Sequence, residues 1–159
     1  MFFTVRSAKP DDTLGGIDRD LFENDKGGPF KSVAVDLRGD GKEVKFVLDS
    51  ELSDSKGLQW LIWDPARGAA LGLVIGTIIF IERETDEGFP RLETYWKQGE
   101  DMAVVFDYSY SRGKYVRVDS RSLTVPDISD YFRAKPPLDP DKELVEIKED
   151  HGQAGTSGS

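Results

Sequence analysis

The stretch RGAALGLVIGTIIFIERE, Arg67 to Glu84, decides the fold. Inside it, the fourteen residues from Gly68 to Ile81 carry no charge, in a chain that is 32% charged. Glycines recur at Gly68, Gly72 and Gly76. As a helix the run would span about 21 Å, against a hydrocarbon core of about 30 Å. Extending it backward meets Arg67, Pro65 and Asp64. Proline breaks a helix, and charge is costly at depth, so no membrane span is expected. A soluble helix would carry interior glycines at about 1 kcal/mol each. The second half, VIGTIIFI, is rich in β-branched residues, which favour strands. Gly76-Thr77 has the Gly-X form of a tight turn. The sequence therefore predicts a hairpin of AALGLVI and IIFIERE, or one long strand kinked at a Gly76 bulge. In either form the run is a central part of a sheet, covered on both faces near its middle. Its glycines would let another element approach closely.

Working outward, the flanks also read mostly as strands. MFFTV at the start looks like a first strand and not like a secretory signal. KSVAVDLRGDGKEVKFVLD, residues 31–49, alternates as a hairpin with RGDGK as its loop. LQWLIWD, residues 58–64, fits either a short helix or a strand, and Pro65 ends it. RLETYWKQ, MAVVFDYSY and YVRVDS form an antiparallel meander through the turns GED and SRGK. LTVPDISDYFRAK places Pro126 in a first helical turn, with Asp127 and Asp130 toward the N-terminal end and Ile128, Tyr131 and Phe132 on one side. IDRDLFEN, residues 17–24, has room for about two helical turns. ELVEIKE, residues 143–149, alternates as a last strand. The sum is an α+β fold: a largely antiparallel sheet of meanders and hairpins with one or two short helices. It forms one domain over residues 1–149, and residues 150–159 have the composition of a disordered tail.

Composition limits the chemistry. The 159 residues carry a formal charge of −9 and no cysteine. Thiolate metal sites and disulfides are excluded, and a cytoplasmic location is the expectation. The single histidine, His151, excludes His-based triads and multi-His centres. No Lys/Arg cluster suited to phosphate exists, so nucleic acid is not the expected partner. DLRGDGKE, residues 36–43, has the oxygens of a calcium loop but not its spacing, and reads as a solvated hairpin tip. Its Arg38-Gly39-Asp40 tripeptide matches integrin ligands only in composition. GLVIGT lacks the order of a dinucleotide fingerprint, and no phosphate loop is present. No cofactor is expected.

What remains is a surface. Tyr95, Trp96, Tyr108, Tyr110 and Tyr115 fall on adjacent predicted strands, with Glu82, Glu84, Asp86, Glu87, Glu93 and Asp107 flanking them, and all of these but Tyr115 and Glu93 make the expected partner-binding set. Aromatic rings anchor interfaces, and carboxylates steer basic partners. The competing reading puts these rings in the core and leaves the acids as a wet rim.

From Leu71 to Ile147, LGLVIG, TIIFIE, GEDMAVVFDYSYSRGKYVRV and SLTVPDISDYFRAKPPLDPDKELVEI run in an order that resembles the Imm1-type immunity proteins of bacterial toxin systems. The resemblance implies a non-enzymatic inhibitor that masks a toxin's active site, and the acidic surface makes a basic site the expected partner. Two alternatives stand beside it: a subunit of a phage or secretion-type assembly that binds neighbouring copies, and an enzyme that uses paired carboxylates in a deep pocket.

Overall fold

A computed structural model describes residues 2–4, 7–14, 17, 30–50 and 58–135. The helix expected over 17–24, the last strand over 143–149 and the tail over 150–159 lie outside the described residues, apart from Ile17.

Among the described residues, ten strands and one helix follow in order. They are β1 Phe2–Thr4, β2 Lys9–Asp11, β3 Phe30–Val35, β4 Val44–Ser50, β5 Gln59–Asp64, β6 Ala69–Ile75, β7 Ile78–Asp86, β8 Phe89–Lys97, β9 Met102–Ser111, β10 Lys114–Thr124 and α1 Val125–Arg133. A short 3-10 turn, Asp12–Leu14, follows β2. The strands make two antiparallel sheets, ordered β1-β7-β8-β9-β10 and β2-β3-β4-β5-β6. This is the expected α+β fold with its antiparallel meanders. No helix among the described residues is long and apolar enough to cross a membrane.

The decisive stretch is not a hairpin. β6 is the edge strand of the second sheet, while β7 lies between β1 and β8 in the first. Gly76 and Thr77 form the corner where the chain changes sheet. Gly76 N–H donates to the Leu58 carbonyl at 2.8 Å, and Thr77 N–H donates to the Tyr95 carbonyl at 2.9 Å. Trp60 Nε1 donates to the Gly76 carbonyl at 2.9 Å, and Thr94 Oγ1 to the Ile75 carbonyl at 2.6 Å. The corner is thus stitched to both sheets, and its buried backbone groups find partners. A Cβ on Gly76 would lie 2.6 Å from Thr94 Cβ, so only glycine fits. β7 is the central, doubly covered strand that the sequence predicts, but β6 is an edge.

Alternation sorts the side chains into three buried layers. Between the sheets, Phe46, Trp60, Ile62, Leu71 and Val74 meet Ile79, Leu92, Trp96, Phe106 and Tyr108. Phe3 packs edge-on against Phe46 and Trp60, with ring centroids 4.9 and 5.4 Å away. On the outer face of the second sheet, Val47 and Leu61 bury under Leu14 and Ile17, with Trp63 against them. This explains LQWLIWD. The segment is a strand covered on both faces, so its apolar run does not alternate with polar residues and mimics a helix. On the outer face of the first sheet, Ile78, Phe80, Tyr95, Ala103, Val105 and Leu123 bury under Tyr131 and Phe132 of α1.

The 36–43 loop is a hairpin tip, as expected. The Asp36 carboxylate accepts backbone N–H groups from Gly39, Asp40 and Gly41. Among the described residues no group of acids or histidine is disposed to hold a metal.

Candidate functional site

Helix α1 begins one residue past β10 and lies back over the first sheet. Its start is set locally. Thr124 donates both its backbone N–H and its hydroxyl to Asp127 Oδ2, at 3.3 and 2.9 Å, and Pro126 sits in the first turn, where no N–H is needed. The helix is short, so it covers only part of the sheet's outer face. The rest of that face is polar, and at the boundary lies a cluster of charges.

Glu93 on β8 stands directly opposite Asp107 on β9, and Asp107 stands opposite Asp119 on β10. Like charges placed face to face across strands repel, so such a row needs compensation. Tyr131 donates its hydroxyl to Glu93 Oε2 at 2.5 Å, and Lys135 Nζ sits 2.5 Å from the same oxygen. Arg121 lies 3.6 Å from Glu93 Oε1. Burial pushes the Glu93 carboxyl up, but the hydrogen bonds from Lys135 and Tyr131 and the Lys135 charge more than offset this, and it stays below its usual range. Asp107 moves the other way. Burial, then its hydrogen bond to Glu93 and the Glu93 charge, push it up to about 6. Of the two neighbours, Glu93 is the anion and Asp107 holds the proton longer.

Lys135 adds a cation over two rings, 4.6 Å from the Phe80 centroid and 4.9 Å from that of Tyr131. An open pocket of about 390 Å³ lies here, lined by Glu93, Arg121, Asp127, Asp130, Tyr131 and Lys135 among others. Its charges are already engaged with one another. Asp130 pairs with Arg133, Asp127 caps the helix, and Glu93 is held by Tyr131 and Lys135. Asp107 is not part of the pocket lining. The arrangement is built to fasten α1 to the sheet.

Further along the same face, Asp86 accepts Arg91 Nε at 2.8 Å and the Ser109 hydroxyl at 2.8 Å. The Arg91 hydrogen bond, then that of Ser109, lowers the Asp86 carboxyl from its usual value. Glu84 and Asp107 add to the negative field at Arg91. Glu87, in the β7–β8 turn, accepts the Arg112 N–H of the β9–β10 turn.

The structure thus divides the nine residues singled out in the sequence. Glu82, Glu84, Asp86, Glu87 and Asp107 are exposed or half-buried on or beside this face. Tyr95, Trp96, Tyr108 and Tyr110 are buried, between 0% and 8% exposed. Tyr95 lies under α1, where its ring stacks 5.8 Å from that of Tyr131. Tyr108 faces the second sheet, and its hydroxyl accepts the Ile75 N–H at 3.0 Å. Tyr110 stacks on Phe89 with centroids 3.8 Å apart. As surface anchors these four rings are corrected: their apolar area belongs to the core. The sequence marks Glu93 as a flanking acid but does not bring Tyr131, Lys135, Arg121 and Asp119 to it. A turn centred on Glu100 places Glu93 opposite Asp107 by simple counting, so that pair was legible. Asp119 was not, because a bulge between Arg117 and Asp119 shifts the register.

The described residues form two stacked antiparallel sheets with one helix on an outer face. No family model, no curated protein and no solved structure matches this chain.

Proposed function

We propose that the chain is a non-catalytic binding protein that neutralises a toxin by covering its basic active site, as its resemblance to Imm1-type immunity proteins implies. One observation carries the reading. The half of the first sheet left bare by α1, with the adjoining turn, presents Glu82, Glu84, Asp86, Glu87, Asp107 and Asp119. Arg83, Arg91, Arg112, Lys114 and Arg121 are fewer than these six carboxylates. Such a surface raises the encounter rate with a cationic partner and suppresses wrong ones. The buried tyrosines take no part in contact, so association leans on charge and on the flat polar face. The test is binding of the full chain to a basic toxin domain encoded beside it, measured against ionic strength. One-to-one binding whose on-rate falls steeply with salt supports the reading. Salt-independent binding, or no toxin-like partner in repeated pull-downs, overturns it.

A further inference from the structure

The first sheet ends on β10, an eleven-residue strand whose outer edge pairs with no other strand among the described residues. The remaining edges are managed differently. β1 and β2 are three residues each, and β6 lies against the start of β10, where a Cβ on Gly72 would sit 2.9 Å from the Tyr115 carbonyl oxygen, so the open part of β10 begins past Tyr115. On β10, every residue from Val116 to Ser122 is exposed, with Val116 at 45% and Val118 at 56%. A long open edge with apolar side chains is a template for another strand. Charges and a bulge normally blunt such an edge, and β10 has both. Here, however, the charge pattern is complementary to itself in one register.

Past the bulge, Asp119, Arg121 and Leu123 oppose Asp107, Val105 and Ala103, so all three lie on the α1 face of the sheet. An antiparallel β10 from a second copy, centred on Ser120, puts Asp119 opposite Arg121 of the second copy. Two-fold symmetry then repeats the pair. Centring on Asp119 would oppose two carboxylates, and centring on Arg121 would oppose two guanidiniums. Cross-strand charge therefore selects the Ser120 register. Both side chains have local partners that the pairing replaces: Asp119 Oδ1 accepts the Ser120 N–H at 2.9 Å, and Arg121, 48% exposed in its side chain, lies 3.6 Å from Glu93 Oε1.

We propose that two copies of this chain join through antiparallel pairing of β10 about Ser120, making one continuous sheet from their two first sheets. The occupant is a second copy because the same short segment supplies both members of each ion pair. The proposal needs no foreign partner and takes only Asp119 from the acidic face, so it can fail while the toxin-binding reading stands.

The test is sedimentation equilibrium of the full chain over a range of concentrations. The wild type is expected to show a dimer that dissociates on dilution. D119R alone and R121D alone each place like charges opposite one another and weaken the dimer by ~tenfold or more. The double variant D119R/R121D restores it, and so does an equal mixture of the two single variants, because the arginine introduced at position 119 then faces the aspartate introduced at position 121 across the interface. A wild type that stays monomeric overturns the proposal. So does a dimer indifferent to the single changes, or singles that fail to recover on mixing. Amide exchange on the wild type gives an answer that needs no variant. Protection along β10 must rise with protein concentration, and protection that stays constant overturns the proposal.

Discussion

Tyr131 of α1 donates its hydroxyl to Glu93 of β8 at 2.5 Å, and Lys135, just past the end of the helix, reaches the same carboxylate oxygen. The C-terminal end of α1 is therefore latched to the middle of the first sheet by charge-assisted bonds. Its apolar side packs over Ile78, Phe80 and Tyr95. Helices of this length have little stability of their own in water, so the latch and the apolar contact decide whether α1 stays docked.

Removing the Tyr131 hydroxyl tests the latch. Tyr131→Phe keeps the ring against Tyr95 and Phe80 and deletes one hydrogen bond to an ionised group. The expected loss is about 1–3 kcal/mol, read as a lower urea midpoint at unchanged slope. A change within about 0.5 kcal/mol, typical of a bland surface substitution, would show that the bond contributes nothing.

Asp107 gives the stability a pH signature. Its carboxyl titrates near 6 in the folded chain against 3.8 ordinarily. Between those values the folded state holds more proton than the unfolded state, so stability falls as pH rises and levels off above about 6. Asp107→Asn removes that slope. The variant should therefore gain on the wild type from about pH 4 to about pH 6 and hold a constant margin beyond. Glu93, lowered from its ordinary value, acts in the opposite sense: its contribution is present above that ordinary value and is lost as pH falls through its depressed one. Urea midpoints of both proteins at a series of pH values check this, and parallel profiles would contradict it.

The sheet-changing corner predicts a steric penalty. Gly76→Ala drives a Cβ to 2.6 Å from Thr94 Cβ. Thr94 must then move and release the Ile75 carbonyl that it holds at 2.6 Å. Overpacking of this kind costs about 1–3 kcal/mol. Gly72→Ala should be at least as damaging. Its φ of +138° excludes most side chains, and the obstructing atom is the Tyr115 backbone oxygen, which cannot swing away. Thermal melts of the two variants measure both costs.

Charge and aromatic changes should separate cleanly in a partner-binding assay. Glu84→Lys on the exposed face is expected to slow association and leave folding stability within about 0.5 kcal/mol. Tyr108→Phe is expected to do the reverse. It strips the acceptor from the Ile75 N–H and lowers stability by about 1–3 kcal/mol, with no change in on-rate. A Tyr108→Phe variant that folds normally and binds poorly would return the aromatic rings to the interface.

Several elements were legible because their signals are local. The β3–β4 hairpin shows in the alternation of Val33 and Val35 with Val44, Phe46 and Leu48 around a glycine-rich loop. The β8–β9–β10 meander shows in its turn residues, and α1 in Pro126 and Asp127. Charge likewise marked Glu84 and Asp86 as surface. The tyrosines misled because alternation reports which residues share a face, and says nothing of whether another layer covers it. Tyr95 and Tyr108 point to opposite sides of the first sheet, and both sides are covered.

Sequence alone determined that this chain would build antiparallel sheet with a short capped helix, because strand period, turn residues and caps act over a few neighbouring residues. It also determined an acidic exterior, since carboxylates in this number stay in water. Tertiary structure alone decided that Gly76 turns the chain from one sheet into the other and does not close a hairpin. It also decided that the aromatic rings lie inside, and that Glu93, Asp107, Tyr131 and Lys135 meet. These depend on contacts between segments far apart in the chain, where packing of whole layers outweighs the preference of any single residue.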